Sequence, residues 1–296
     1  MACFKAKEQS GIALLAAILV VLVASAIIVS ITHQEAFSIR KTSRIQQIDK
    51  ARQYALGLED WARLFLSKDR KESSIDHLGE DWAIGIPGLP IEGGFLSGFL
   101  EDEQARFNLN NLLGSEESVN RFKRLCNNLN VDTTFVPALL DWLDEDFDVR
   151  YPDGAEENYT DYRVANREMV DISELLLVKN VTPEIFQALK PYITALPSTT
   201  NLNVNTMSKT IFLSLGDNLD ADAFIDAREK KEFSDLQDFI ERLQLTLEET
   251  GLSVSTDYFS AHGQVTLGDQ ELGLDSLIRR DSEGKTVVVR RTLVRT

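Results

Sequence analysis

EQSGIALLAAILVV (residues 8–21) is the stretch whose reading decides the architecture. It ends a short charged leader at Gly11 and opens a run, residues 12–31, that carries no formal charge and is broken only by Ser25 and Ser30. At about 1.5 Å per residue that run spans roughly 30 Å, the thickness of a bilayer core. The flank before it carries Lys5 and Lys7 against Glu8; the flank after it is mixed, with His33, Glu35, Arg40 and Lys41. The cation bias favours a cytoplasmic N-terminus. A cleaved secretory signal needs a shorter apolar core before a small-x-small site, which Ala24-Ser25-Ala26 imitates. The length of the run favours an anchor.

Beyond the run, Ile45, Ile48, Ala51, Ala55, Leu58, Ala62 and Phe65 recur at three- and four-residue steps. No proline or glycine interrupts residues 12–55, so one helix is expected from the membrane to about Leu66, its apolar stripe laid on a globular head. Pro87, Gly88, Pro90, Gly93, Gly94 and Gly98 then break the chain, and FLEDEQARFNLNNL (residues 99–112) reads as a strand and a turn. From Glu116 to about Leu247 the pattern is helical, with capping residues at Asp132-Thr133-Thr134, Thr182-Pro183-Glu184 and Ser234. After Gly251 the period becomes two, with a turn at Ser282-Glu283-Gly284. Strands that bracket helices predict an α+β fold: a long N-terminal transmembrane and stem helix on a small antiparallel sheet, with a large all-α domain inserted. The expected division is a leader 1–11, a transmembrane helix 12–31, stem and first part of the head 32–112, the inserted helical domain 113–247 and a closing β-meander 248–296.

The net charge of −16 argues against a nucleic-acid surface, which needs clustered Lys and Arg. Cys3 and Cys126 fall on opposite sides of the anchor and do not pair; Cys126 reads as a small apolar residue on a helix. The densest acidic stretch, DWLDEDFDVRYPDGAEENYTDY, holds Asp141, Asp144, Asp146, Asp148, Asp153, Glu156, Glu157 and Asp161. Alternating carboxylates in a short loop suit a hard cation such as Ca²⁺, which takes about six to eight oxygens, although the spacing is not that of an EF-hand. A solvated acidic loop is the competing reading. A glycosidase acid/base pair would need an aromatic-lined cleft, for which only Trp142, Tyr151, Tyr159 and Tyr162 are near. No zinc ligand pair, Ser-His-Asp spacing, P-loop or dinucleotide fingerprint occurs. Two loosely similar segments, residues 171–196 and 203–243, each place a short helix, a turn and a longer helix, like a helix-hairpin-helix. The second turn carries Asp217, Asp220 and Asp222, which would repel phosphate, so a packing unit is expected there.

With those residues in place, the chain resembles the minor pseudopilin K family of type II secretion systems. The resemblance rests on the leader ending at Gly11, Phe107 to Leu112 (FNLNNL), the acidic block from Asp141 to Tyr159, YRxxN at Tyr162 to Asn166, ELxxV at Glu174 to Val178, and LNVNT at Leu202 to Thr206. It implies a pilin-like head and a non-catalytic protein of the bacterial inner membrane, single-pass, with a periplasmic C-terminal domain. It implies prepilin peptidase cleavage between Gly11 and Ile12, methylation of Ile12, and bound calcium, carried here onto the acidic block. Minor pseudopilins I and J are the implied partners, with the major pseudopilin and the inner-membrane assembly platform, at the tip of a pseudopilus whose assembly the protein starts. Pilin-like chains carry a glutamate where this one has Ala16. An unprocessed, membrane-anchored periplasmic receptor or hydrolase is the rival class, and a DNA-uptake protein a third.

Overall fold

The computed structural model describes residues 9–156, 159, 162–246 and 250–295. Most of the leader, Glu157, Asp161 and Leu247 lie outside them. Helix α1 (Gln9–Glu72) is one element of 64 residues, six residues longer than the stripe predicts, with Arg70 and Lys71 in its last turn complementing the helix dipole. Its upper half buries Ala51, Ala55, Leu58 and Ala62 of the predicted stripe, with Leu66 buried beside a half-buried Phe65, while Ile45 at the lower end of the stripe is exposed. That stripe lies on a five-stranded antiparallel sheet of order β1-β2-β7-β8-β9, formed by β1 (Ile86–Ile91), β2 (Gly94–Asp102), β7 (Tyr258–Leu267), β8 (Gln270–Arg280) and β9 (Thr286–Arg295). Alternation from residue 251 onward predicted β7 to β9.

The β1–β2 hairpin is what the sequence reading treats as a break. Pro87 and Pro90 cannot donate to a ladder, but β1 is the edge strand, where that loss is tolerated. Gly93, at φ +91°, supplies the left-handed turn between Ile91 and Gly94. Further along, Gly98 of β2 pairs directly with Gly263 of β7. The missing Cβ atoms make the seat for Leu58: a Cβ on Gly98 would stand 2.7 Å from Leu58 Cδ2, and one on Gly263 would collide with the same methyl. Glu59 and Arg291 form one of the charged pairs that cross this interface. Burial favours the neutral acid at Glu59, yet Arg291, donating through Nε at 2.7 Å, and the Ser276 hydroxyl hold its carboxyl below the usual range.

Between β2 and β7 the chain forms β3 (Phe107–Asn108), α2 (Glu116–Asn128), α3 (Val136–Leu143), α4 (Pro183–Leu189), β4 (Ile193–Thr194), β5 (Leu202–Asn203), α5 (Lys209–Leu213), α6 (Ala221–Lys230), α7 (Leu236–Leu243) and β6 (Leu252–Ser253). This insert is helical with its own core, but β3–β4 and β5–β6 add two-residue parallel bridges where it meets the head. Thr182 caps α4 as expected, whereas α7 is capped by Asp235 rather than Ser234. The hairpin-like segment is a packing unit: Phe212 stacks on Phe224 at 4.3 Å, with Phe239 edge-on to both.

The asparagines of FNLNNL tie distant segments of the insert together, and LNVNT fastens the insert to the head. Asn110 donates to the carbonyls of Met169 and Leu196, at 2.9 and 2.8 Å, and accepts from Met169 N. Asn203 Nδ2 and Thr206 Oγ1 both donate to Asp102 Oδ2 at the end of β2, at 2.9 and 2.6 Å. A buried amide serves because it donates and accepts at once.

Candidate functional site

The acidic block leaves α3 where Leu143 ends the helix, and its eight candidate residues separate into distinct roles. Asp141 is fully buried and already satisfied, accepting from Arg150 N at 3.2 Å and Ala155 N at 2.8 Å. Gly154 permits that closure, since a Cβ there would meet Arg150 N at 2.6 Å. Asp148 and Asp153 are exposed and stand apart from the carboxylates that converge. Glu157 and Asp161 fall outside the described residues.

Asp144, Asp146 and Glu156 do converge: one oxygen from each lies within 4.8 Å of the others. Asp144 Oδ1 and Glu156 Oε1 are buried without a hydrogen-bond partner. So is Asn166 Oδ1, whose Nδ2 donates to Asp146 O at 2.6 Å and sits 3.5 Å from Glu156 Oε2. Arg150 pairs with the other oxygen of Asp144, leaving Oδ1 turned away from it. Burial pushes the Asp144 carboxyl above its ordinary value against the pull of Arg150. Burial does the same at Glu156, opposed by the Asn166 hydrogen bond and reinforced by Asp141, Asp144 and Asp146. Three unpartnered buried oxygens beside acids reluctant to ionise are what a hard cation relieves. The residues fit calcium.

A second acidic group, Asp69, Asp76 and Glu80, answers the same chemistry differently. Arg280, fully buried, donates to Asp69 Oδ2 at 2.8 Å and to Asp76, while Thr256 N donates to Asp76 Oδ2. Glu80 accepts from His77 N and Trp82 Nε1. A guanidinium already occupies the place of a cation there.

Asn166 is the site residue that the acidic pattern missed; it lies ten residues beyond Glu156 and carries no charge. Its one sequence signal was its place in YRxxN. Trp142, Tyr159 and Tyr162 pack edge-on and tilted against one another at 5.2–6.2 Å rather than spreading along a cleft. Cys126 is buried, and burial pushes its thiol up to about 12, so it packs as an apolar residue. At the other end of the molecule, Gly11, Ile12 and Ala16 stand exposed on the first turns of α1. That helix is long and apolar enough to cross a membrane, and its apolar window is unburied.

Comparison with known proteins bears on these features. The family model "Type II secretion system (T2SS), protein K" matches residues 105–198 and 202–257. Type II secretion system protein K of Pseudomonas aeruginosa is 33% identical, over 97% of this chain and 93% of its own. The chain belongs to the type II secretion system protein K family. A second relative, protein K of Aeromonas hydrophila, is 26% identical over 96% of this chain and 97% of its own. A chain of the crystal structure of the GspK-GspI-GspJ complex from the enterotoxigenic Escherichia coli type 2 secretion system superposes with a TM-score of 0.78 at 27% identity. That superposition covers 86% of this chain and 100% of the solved one. As a protein K, the molecule is a minor pseudopilin of a type II secretion system. The fold expected of that family, a long apolar helix on an antiparallel sheet with a helical insert, is the one observed.

Proposed function

We propose that the protein is a non-catalytic subunit at the tip of the pseudopilus, where it helps to start assembly with minor pseudopilins I and J. The observation that carries this is the likeness, over nearly all of the described molecule, to a chain solved in a complex of K, I and J proteins. Prepilin peptidase cuts between Gly11 and Ile12, Ile12 becomes the methylated N-terminus, and the head lies in the periplasm; the cations of the leader support that orientation. Calcium bound by Asp144, Asp146, Glu156 and Asn166 ties the acidic loop to the insert, as the unpartnered oxygens suggest. The major pseudopilin and the inner-membrane assembly platform are contacted in turn. Nucleic acid is not a partner, since the turn of the hairpin-like unit is acidic.

Ala16 supports the tip position. A glutamate four residues after the new N-terminus could neutralise the α-amine of the subunit ahead, and an unpaired carboxylate within a bilayer costs several kcal/mol. A first subunit has no amine ahead of it and is better without the acid.

The test is co-purification of the full chain with the I and J proteins of the same cell, together with N-terminal sequencing in cells with and without prepilin peptidase. A stable ternary complex and an N-terminus at Ile12 only when the peptidase is present are expected. An uncut Met1 in both strains refutes the reading and favours the unprocessed anchor of a receptor or hydrolase.

A further inference from the structure

The segment of α1 between the apolar run and the sheet looks mixed in charge when counted, but the helix sorts it. At 100° per residue, His33, Phe37, Arg40, Lys41 and Arg44 fall within one arc of about 100°, and Glu35 and Asp49 fall on the opposite side. Arg40, Lys41 and Arg44 are exposed, and none has an ion-pair partner among the described residues. This sets them apart from Lys50, held 3.0 Å from Glu92, and from Arg291, held on Glu59. On a chain of net charge −16, three neighbouring unpaired cations on one helix face need an anionic counterpart.

Height along the helix says where that counterpart lies. Ile31 ends the apolar run, so the Arg40 backbone stands about 13 Å beyond it and that of Arg44 about 20 Å. Helical side chains lean toward the N-terminus, and long cationic ones bend back to an interface, which brings Arg40 and Lys41 to the edge of the headgroup layer and Arg44 to within about a Debye length of it. Phe37, 69% exposed, lies one turn below on the same face, at the depth where aromatic rings gather. Higher up, the same arc carries Ala51, Ala55, Leu58 and Ala62 under the sheet. The lowest part of the head packs near Gln47, where a Cβ on Gly268 would lie 3.7 Å from its Nε2. The cations therefore occupy the slot between the underside of the head and the membrane.

We propose that Arg40, Lys41 and Arg44 form a collar that binds the headgroups of anionic phospholipids on the head side of the membrane. The collar rests on the reading that α1 crosses a bilayer. Cleavage after Gly11 would remove Lys5 and Lys7, leaving these three as the Lys and Arg side chains nearest the apolar run. The collar fixes the depth of the helix and holds the head-facing side of α1 against the surface until the subunit is lifted into the fibre.

The experiment uses the full chain in vesicles of equal parts phosphatidylcholine and phosphatidylglycerol, with spin-labelled versions of each lipid reporting which one the protein holds. At low salt the wild type should select phosphatidylglycerol by at least about threefold, and high salt should erase most of that choice. Arg40→Gln, Lys41→Gln and Arg44→Gln combined should bring the ratio near one, while Glu35→Gln with Asp49→Asn should leave it or raise it. Equal selection by the wild type, or undiminished selection by the triple variant, overturns the collar. A triple variant that keeps its lipid choice but loses co-purification with the I and J proteins overturns it in favour of a protein occupant. If the wild-type chain fails to float with the vesicles at all, the transmembrane reading falls and takes the collar with it. Equal selection by a floating protein removes the collar alone.

Discussion

Glu156→Gln is the substitution that separates a cation site from an acidic loop. The carboxylate belongs to the group formed with Asp144 and Asp146 and has one oxygen, Oε1, buried without a partner, and its neutralisation leaves the Arg150 pair with Asp144 untouched. Without metal, the buried carboxylates of Asp144 and Glu156 face each other and the exposed Asp146, and each unpartnered buried oxygen costs about 1–3 kcal/mol. Neutralising one of them should therefore leave the chelator-treated protein as stable as wild type, or more so. With metal the sign reverses. A cation present at a hundred times its dissociation constant stabilises the wild type by about 2.7 kcal/mol. For 296 residues, with an unfolding entropy of about 0.6 kcal/mol/K, that is a rise in Tm of roughly 4–5 °C. Glu156→Gln removes one charged ligand and should lose most of this rise.

Calorimetry of the full chain in detergent, with chelator and with calcium, gives four transitions whose order is the test. The variant should unfold at or above wild type in chelator and below it in calcium. Magnesium should move the wild type less, because a smaller ion demands octahedral closure that an irregular loop does not provide. Asn166→Ala should lower both transitions, since it also removes the 2.6 Å hydrogen bond to Asp146 O. If wild type unfolds at the same temperature in both buffers, or Glu156→Gln keeps the full calcium rise, the group is an acidic loop held by Arg150 and the metal reading is wrong.

Three further outcomes follow from other parts of the molecule. Gly263→Ala should cost about 1–3 kcal/mol by driving a Cβ into Leu58, and Leu58→Ala about 2–5 kcal/mol. In the double variant the new methyl occupies part of the vacated space, so denaturant unfolding should show a total loss well below the sum; strict additivity would mean that α1 does not sit on the glycine pair. Burial pushes Asp69 and Asp102 up to about 6, from an unfolded value near 3.8, so the folded chain binds protons that the unfolded chain does not. Their stabilising contribution is full below about 3.8 and is lost as pH rises through about 6, so Tm in chelator should be higher at pH 5 than at pH 7.5, and a rise in the opposite direction would contradict the buried acids. Ala16→Glu should impair membrane insertion or let the subunit enter mid-fibre, scored by fractionation and by its position in isolated fibres; normal assembly with normal tip occupancy would refute the role given to Ala16.

Elements whose side chains repeat were the legible ones. The stripe Ala51, Ala55, Leu58, Ala62 announced α1, the alternation after Gly251 announced β7 to β9, and the acid density around Asp144 marked the candidate site. The first hairpin is hidden in the sequence because its prolines and glycines read as loop residues, and only the strand order reveals that β1 lies at the edge, where Pro87 and Pro90 are tolerated. The candidate cation site is legible as a region and not as a set of converging side chains. Charge density cannot tell Asp141, which backbone N–H groups consume, from Glu156, whose oxygen is free to ligate. Nor can it see Asn166 at all. The buried asparagines were visible as motif letters, but their work joins segments some 60 to 130 residues apart, which no local pattern encodes.

The sheet also constrains how such a subunit can join others. An antiparallel sheet with open edges invites strand addition, and this one has two. On β1 the missing N–H groups of Pro87 and Pro90 interrupt the ladder that a visiting strand would need. On β9 the register shifts opposite Leu277 and Ile278, leaving Val289 as a bulge, and Arg290 reaches across to pair with Asp171 of the insert at 2.9 Å. A bulge and a pinned arginine blunt an edge as effectively as proline does. With both edges closed to strand addition, the longest uninterrupted run of exposed apolar residues among the described residues is the lower part of α1, from Ile12 to Ile31. On the proposed reading, assembly through that helix would leave the head free to carry its insert at one end of a fibre, and the residues proposed to set the depth and facing of α1, Ala16 within the bilayer and Arg40, Lys41 and Arg44 beside it, would be the ones through which assembly is controlled.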